Sequence, residues 1–204
     1  VDFSGTVGGR RLQGSTTCDD PCNLISGNSK WAVGQSDLVQ GNFVGTDPTG
    51  TQSLANGTDF DVSKPNEDGA AVLVLNKTVG GESSALRGQC DEACNLVAGN
   101  TSAPGVDATV IQGNAIGVGI DGRPLPNHDG VRLSQGGNAA IGGRGDLGNV
   151  IAFNPHAAVT SVQSVGTAPF DSVVVRGNSI HDNGLGVSVP GSPALPGHLV
   201  HVDR

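Results

Sequence analysis

Four groups of side chains in this sequence have the composition to do chemistry. The cysteines fall as two Cys-x-x-x-Cys pairs, Cys18 with Cys22 and Cys90 with Cys94. Four thiolates can build a structural zinc site, but these pairs stand 72 positions apart with no histidine beside them, which favours two local disulfides. Each would close a very small loop and stiffen a turn more than it stabilises the fold. An acidic stretch carries Asp47, Asp59, Asp61, Glu67 and Asp68, with only Lys64 against them. Oxygen-rich loops can hold calcium, so these five are the candidate metal ligands, and calcium is the one cofactor considered. The loop lacks both an Asp-x-Asp-x-Asp-Gly pattern and a nonapeptide calcium repeat, so a solvated acidic surface is the competing reading. The densest polar cluster is Asn127-His128-Asp129 with Arg123 and Arg132, followed by His181-Asp182-Asn183. A histidine and the aspartate after it point to opposite faces of a strand, so adjacency alone predicts no dyad. Asp19-Asp20 and Asp91-Glu92 lie inside the cysteine turns and are expected to be solvated. Trp31, in a short loop after Asn28, is the candidate platform for a sugar ring. Arg123, His128, Asp129 and Arg132 are the other candidate ligand contacts.

The elements that must position these groups are repeated. Val7-Gly8-Gly9, Cys18 to Asn28 and Val39-Gln40-Gly41-Asn42 return 72 positions later as Val79-Gly80-Gly81, Cys90 to Asn100 and Ile111-Gln112-Gly113-Asn114. A looser third copy follows in Ile141-Gly142-Gly143, Asn149 to Asn154 and Val175-Arg176-Gly177-Asn178, with 62 positions between the second and third diglycine. The repeats run about 7–78, 79–140 and 141–188, and form one domain over 1–188. Residues 47–68, longer than the matching route in the second copy, read as a surface insertion. The Pro-rich 189–204 reads as an irregular tail. With 33 glycines, apolar runs such as Ala71 to Leu75 and Ser172 to Val175 bounded by Gly, Asn or Asp, and no helical periodicity, the chain predicts short β-strands broken by sharp turns. Aromatics are only 3 % of the sequence, so stacked aliphatic side chains must fill the core.

A period of 72 is too long for one solenoid turn, and each copy divides into three coils of roughly 22 to 24 residues, about eight or nine in all. Asparagine follows the same kind of strand at Asn28, Asn42, Asn76, Asn100, Asn114, Asn138, Asn154 and Asn178. It enters left-handed backbone geometry cheaply, so these eight form a candidate ladder passing amide hydrogen bonds along the stack.

Asn23 to Asn28, Val39 to Gly50 and Val79-Gly-Gly81 resemble right-handed parallel β-helix repeats of secreted and cell-surface bacterial proteins, over nearly the whole chain. The resemblance implies an all-β, right-handed parallel solenoid, the hand expected of parallel crossovers. It implies little about activity, because the architecture hosts polysaccharide lyases and hydrolases as well as adhesins and inert stalks. The motifs of pectate lyases, polygalacturonases and alginate epimerases are absent. No catalytic residue is assigned, since a hydrolase needs paired carboxylates at a set separation.

Net charge of −8 with no basic stripe speaks against nucleic acid. No transmembrane run is present, so membrane insertion is not expected. Asn56-Gly-Thr58, Asn76-Lys-Thr78 and Asn100-Thr-Ser102 match the glycosylation acceptor, a pattern frequent by chance. The paired cysteines point to an extracellular or cell-surface protein. The sequence starts inside what looks like a coil, so further coils or copies of itself stacked end to end are the expected partners. The expected function is a non-enzymatic scaffold with a structural or adhesion role. The alternative is a polysaccharide-binding or carbohydrate-active member of the same architecture.

Overall fold

The computed structural model describes residues 5–19, 21–61, 70–134, 136–162, 170–189 and 199–203. Runs of Val, Ile and Leu between glycine and asparagine corners form strands of two to nine residues, and the named strands pair only in parallel. They wind as an all-β parallel solenoid whose cross-section has three strand positions.

The first position is a six-stranded sheet of β2 (Leu24–Ile25), β5 (Phe43–Val44), β7 (Leu96–Val97), β9 (Ala115–Ile116), β12 (Val150–Ala152) and β15 (Ser179–His181). The other two share an eleven-stranded sheet, because β6 (Val72–Gly80) and β8 (Val106–Gln112) each run through both. Their first halves stack with β3 (Val33–Gly34), β10 (Val131–Leu133), β13 (Ala157–Ser161) and β16 (Leu185–Ser188). Their second halves stack with β1 (Thr6–Gly8), β4 (Leu38–Gln40), β11 (Gly137–Gly142), β14 (Phe170–Arg176) and β17 (Leu199–Asp203).

The core consists of three β-branched columns. Ile25, Val44, Val97, Ile116, Ile151 and Ile180 stack in the six-stranded sheet. Val33, Val72, Val106, Val131, Val159 and Val187 form the second column, and Val7, Val39, Val79, Ile111, Ile141 and Val175 the third. Members away from the two ends are at most 4 % exposed. The expected stacking of aliphatic side chains is what fills this interior.

The coil count is corrected. Six strands in the small sheet correspond to about five turns, not eight or nine. Successive turns advance by 19, 53, 19, 35 and 29 residues, so each full repeat holds two coils rather than three. Dividing length by an even coil fails because long loops leave the corners of alternate coils. The tail is corrected as well: residues 190–198 lie outside the described residues, but Leu199–Asp203 pairs with β14 as a further strand.

The landmark glycines are where adjacent coils touch. A Cβ on Gly41, Gly113 or Gly177 would stand 1.9, 1.9 or 2.0 Å from the carbonyl oxygen of Gly9, Gly81 or Gly143, and all three have positive φ. No other residue permits that approach.

Candidate functional site

Two asparagine ladders bracket the six-stranded sheet. Asn23, Asn42, Asn95, Asn114, Asn149 and Asn178 each precede one of its strands; Asn28, Asn56, Asn100, Asn127, Asn154 and Asn183 lie beyond their far ends. In the first ladder the Nδ2 of each residue donates to the Oδ1 of the next, at 2.9, 3.1, 2.9, 3.1 and 2.8 Å. The second repeats the pattern at 2.9, 3.2, 2.9, 3.3 and 2.9 Å. In every step the backbone N–H of the donor residue reaches the same oxygen.

Six of the eight asparagines singled out from sequence belong to these ladders, divided between the two. Asn138 does not, being exposed in β11, and Asn76 has its backbone within β6 of the other sheet while its side chain lies outside the described residues. Both follow an apolar or glycine-rich run but sit in mid-strand rather than at a corner. Asn23, Asn56, Asn95, Asn127, Asn149 and Asn183 went unassigned. The repeated Asn-Leu-Ile, Asn-Leu-Val and Asn-Val-Ile triplets signalled three of them. The acceptor-like Asn56 and Asn100 are fully buried ladder members, closed to modification as folded.

Both disulfides are present, Cys18 to Cys22 and Cys90 to Cys94. Their loops stack on one another through Arg11, a residue the sequence did not signal. Its guanidinium, 3 % exposed, donates to the carbonyls of Cys90, Thr17 (3.1 Å) and Cys94 (3.3 Å), and lies 5.0 Å over the Phe43 ring. Desolvation pulls the Arg11 pKa down, partly offset by the charge of Asp91. Asp91, expected to be solvated, is fully buried and accepts N–H groups from Gly14 (2.7 Å) and Ser84 (2.9 Å). Turn carboxylates are solvated only where nothing stacks over the turn, and here one loop covers the other.

The polar cluster of residues 123–132 does not converge. Arg123 is exposed beside Asp121 at 3.6 Å. His128 and Asp129 do pair, Nδ1 to Oδ2 at 3.0 Å, because they occupy a corner rather than a strand, and the strand-based expectation is corrected. His128 stacks on His156 with centroids 3.8 Å apart, and the other oxygen of Asp129 accepts the Ala157 N–H at 3.2 Å. Arg132 is buried on the outer face of β10 near Asp107. Burial pushes the Asp107 carboxyl up to about 6, against the opposing effects of Ser134 and Arg132. Trp31 is half exposed in a turn distant in sequence from all of these.

Asp47 spends its carboxylate on its own turn, accepting from Thr49 Oγ1 (2.7 Å) and from the N–H groups of Thr51 (3.0 Å) and Gln52 (3.1 Å). That turn recurs at Val118–Pro124, so residues 46–53 are part of the repeat. Asp59 and Asp61 follow beyond Asn56, and Glu67 and Asp68 lie outside the described residues. Among the described residues no three His, Cys, Asp or Glu side chains are grouped to hold a metal ion. No described helix is long and apolar enough to cross a membrane.

The outer face of the six-stranded sheet carries the column Leu24, Phe43, Leu96, Ala115, Val150 and Ser179. The disulfide loops cover Phe43 and Leu96, whereas Leu24 at the end of the column stays exposed. In the third repeat the corresponding loop shrinks to 144–148, and from Ala115 of the second repeat onward the column shrinks to Ala, Val and Ser. A groove of about 250 Å³ opens there, walled by Leu86 and Ile120 and closed at one end by Phe153 and His181. His181 Nδ1 is 2.8 Å from Asp182 Oδ2. Compared with known proteins, the chain matches no family model, no curated protein and no solved structure.

Proposed function

We propose that this chain is a non-enzymatic, extracellular β-solenoid scaffold serving as a structural or adhesion module of a surface or filament assembly. The distribution of ionisable side chains carries the reading. Among the described residues, Arg10–Glu92 and Arg87–Asp146 are neighbouring surface pairs on the disulfide-loop side, and Lys77–Asp37, Arg123–Asp121, His128–Asp129 and His181–Asp182 are local pairs elsewhere on the solenoid. An acid–base enzyme needs such groups to converge on one reacting atom. Two continuous ladders and three β-branched columns instead tie every coil to its neighbours, an arrangement suited to a stiff spacer. The disulfides accord with an oxidising compartment. Further coils, or copies of the chain end to end, are the proposed partners.

The test is the size and shape of purified native material by light scattering and negative-stain imaging. Ordered polymers or end-to-end contacts support the scaffold. Compact monomers that bind or cleave acidic polysaccharides in a screen would replace it with the carbohydrate-active reading, for which the groove on the six-stranded sheet is a candidate site.

A further inference from the structure

From the groove over Ala115, Val150 and Ser179 we infer a binding site for a single aromatic ring that carries one hydrogen-bond donor, the chemistry of a phenol or an indole. The site goes beyond the scaffold role and stands whether or not the chain polymerises.

Three observations carry it. First, the groove is a built gap. In the same outer column Phe43 and Leu96 are fully buried, whereas Ala115, Val150 and Ser179 leave about 250 Å³ between the 85–90 and 118–122 loops. A mono- or bicyclic ring fills such a space, and a dry apolar cavity of similar scale takes up aromatic ligands readily.

Second, the end wall is held against backbone preference. Where the strand runs directly to its second-ladder asparagine, at Asn28 and Asn100, the corner residue of the first and second repeats is Gly27 or Gly99, with φ of 74° and 79°. In the third it is Phe153, at φ 63°. A bulky residue is rare in that region, and where it persists the surroundings hold it in place. Its ring meets His181 edge-on, centroids 5.7 Å apart, and both line the groove. Edge and face contacts of this kind are what an added aromatic ring prefers.

Third, the polar end has a defined sense. A carboxylate only accepts, so the bond to Asp182 fixes the proton of neutral His181 on Nδ1. Nε2 is then an acceptor, suited to a ligand O–H or N–H rather than to a carbonyl.

The experiment titrates p-cresol, 3-methylindole and toluene into the folded protein, following backbone amide resonances. The expected result is saturable shifts at Gly88, Gly119 and Ser179, with both donor-bearing rings binding about tenfold more tightly than toluene, the worth of one hydrogen bond. His181→Ala should erase that advantage while leaving toluene binding in place. Ala115→Leu, which restores the side chain found at Leu96, should abolish binding with the circular dichroism spectrum unchanged. If that variant does not fold, Phe153→Gly provides the same test, weakening ring binding while relaxing the corner. Equal affinity for toluene and p-cresol in the native protein, or shifts scattered away from the groove, would overturn the site. A tyrosine-containing tetrapeptide distinguishes the sources. Tighter binding than p-cresol identifies a partner's side chain as the occupant, and equal binding a free aromatic compound; either outcome supports the ring chemistry.

Discussion

Asn95 gives both its backbone N–H (3.2 Å) and its Nδ2 (2.9 Å) to the single Oδ1 of Asn114, one coil further along. The other Nδ2 hydrogen reaches Val39 O at 2.9 Å, and Asn95 Oδ1 in turn accepts from Asn42. One side chain therefore links three coils with every polar atom satisfied. A buried amide on these terms stabilises; one that loses its partner costs the full desolvation of what remains.

Asn114→Ala should destabilise the fold by about 3 kcal/mol or more, since it strands the Asn95 donors and the Val79 carbonyl together. Asn138→Ala, exposed and outside either ladder, should fall within about 0.5 kcal/mol of wild type. Denaturant midpoints of the two variants check both values. Similar losses would remove the ladder from the account of stability.

Gly113→Ala should fail to fold or lose several kcal/mol, about 3 or more, because its Cβ would lie 1.9 Å from Gly81 O at a φ of 63°. Gly122→Ala shares the positive φ, 77°, but meets nothing within 4 Å. It should cost only the conformational strain, about 1 kcal/mol. Thermal unfolding of the pair separates close approach from backbone geometry.

Cys90 and Cys94 are 5 % and 0 % exposed under the stacked loops, whereas Cys18 and Cys22 are half-buried. Under mild reductant the Cys18–Cys22 bridge should open first, as followed by alkylation and mass spectrometry. Each closes a loop with a sequence separation of only four, so its loss should cost about 2 kcal/mol on the chain-entropy account.

Asp107 sets a pH dependence. Its carboxyl is pushed from 3.8 up to about 6 by burial. Between those values the unfolded chain has released a proton that the folded chain still holds, so stability falls as pH rises from about 4 to 6 and then levels off. The span corresponds to about 3 kcal/mol. The stability of Asp107→Asn relative to wild type should therefore improve by about that amount from pH 4 to pH 7, in unfolding free energies measured at both. A constant difference would show that Asp107 does not hold its proton in the folded state.

What the sequence determined by itself is the periodic part. Cys18 and Cys90, the first two diglycines and the Gly-Asn corners of the first two copies recur 72 positions apart, and β-branched triplets between turn residues admit only short strands. Parallel stacking, aliphatic columns and local disulfides follow from that, because they depend on contacts each repeat makes in the same way. Coil register is not periodic in this sense. The advance per turn varies from 19 to 53 residues, so which asparagine faces which was settled only when the loops folded out of the coil. For the same reason Asn138 fell outside the ladders, while Asn56 and Asn127, without a shared strand motif, fell inside. Burial of Arg11, Asp91 and Asp107 depends on segments distant in sequence covering one another, and the groove on the six-stranded sheet on a loop that shortens to 144–148 and leaves the outer column uncovered. The shorter route from Gly143 to Asn149 can be read in the third copy, but what it uncovers and which side chains become buried cannot, because solvent exclusion is a property of surfaces brought together.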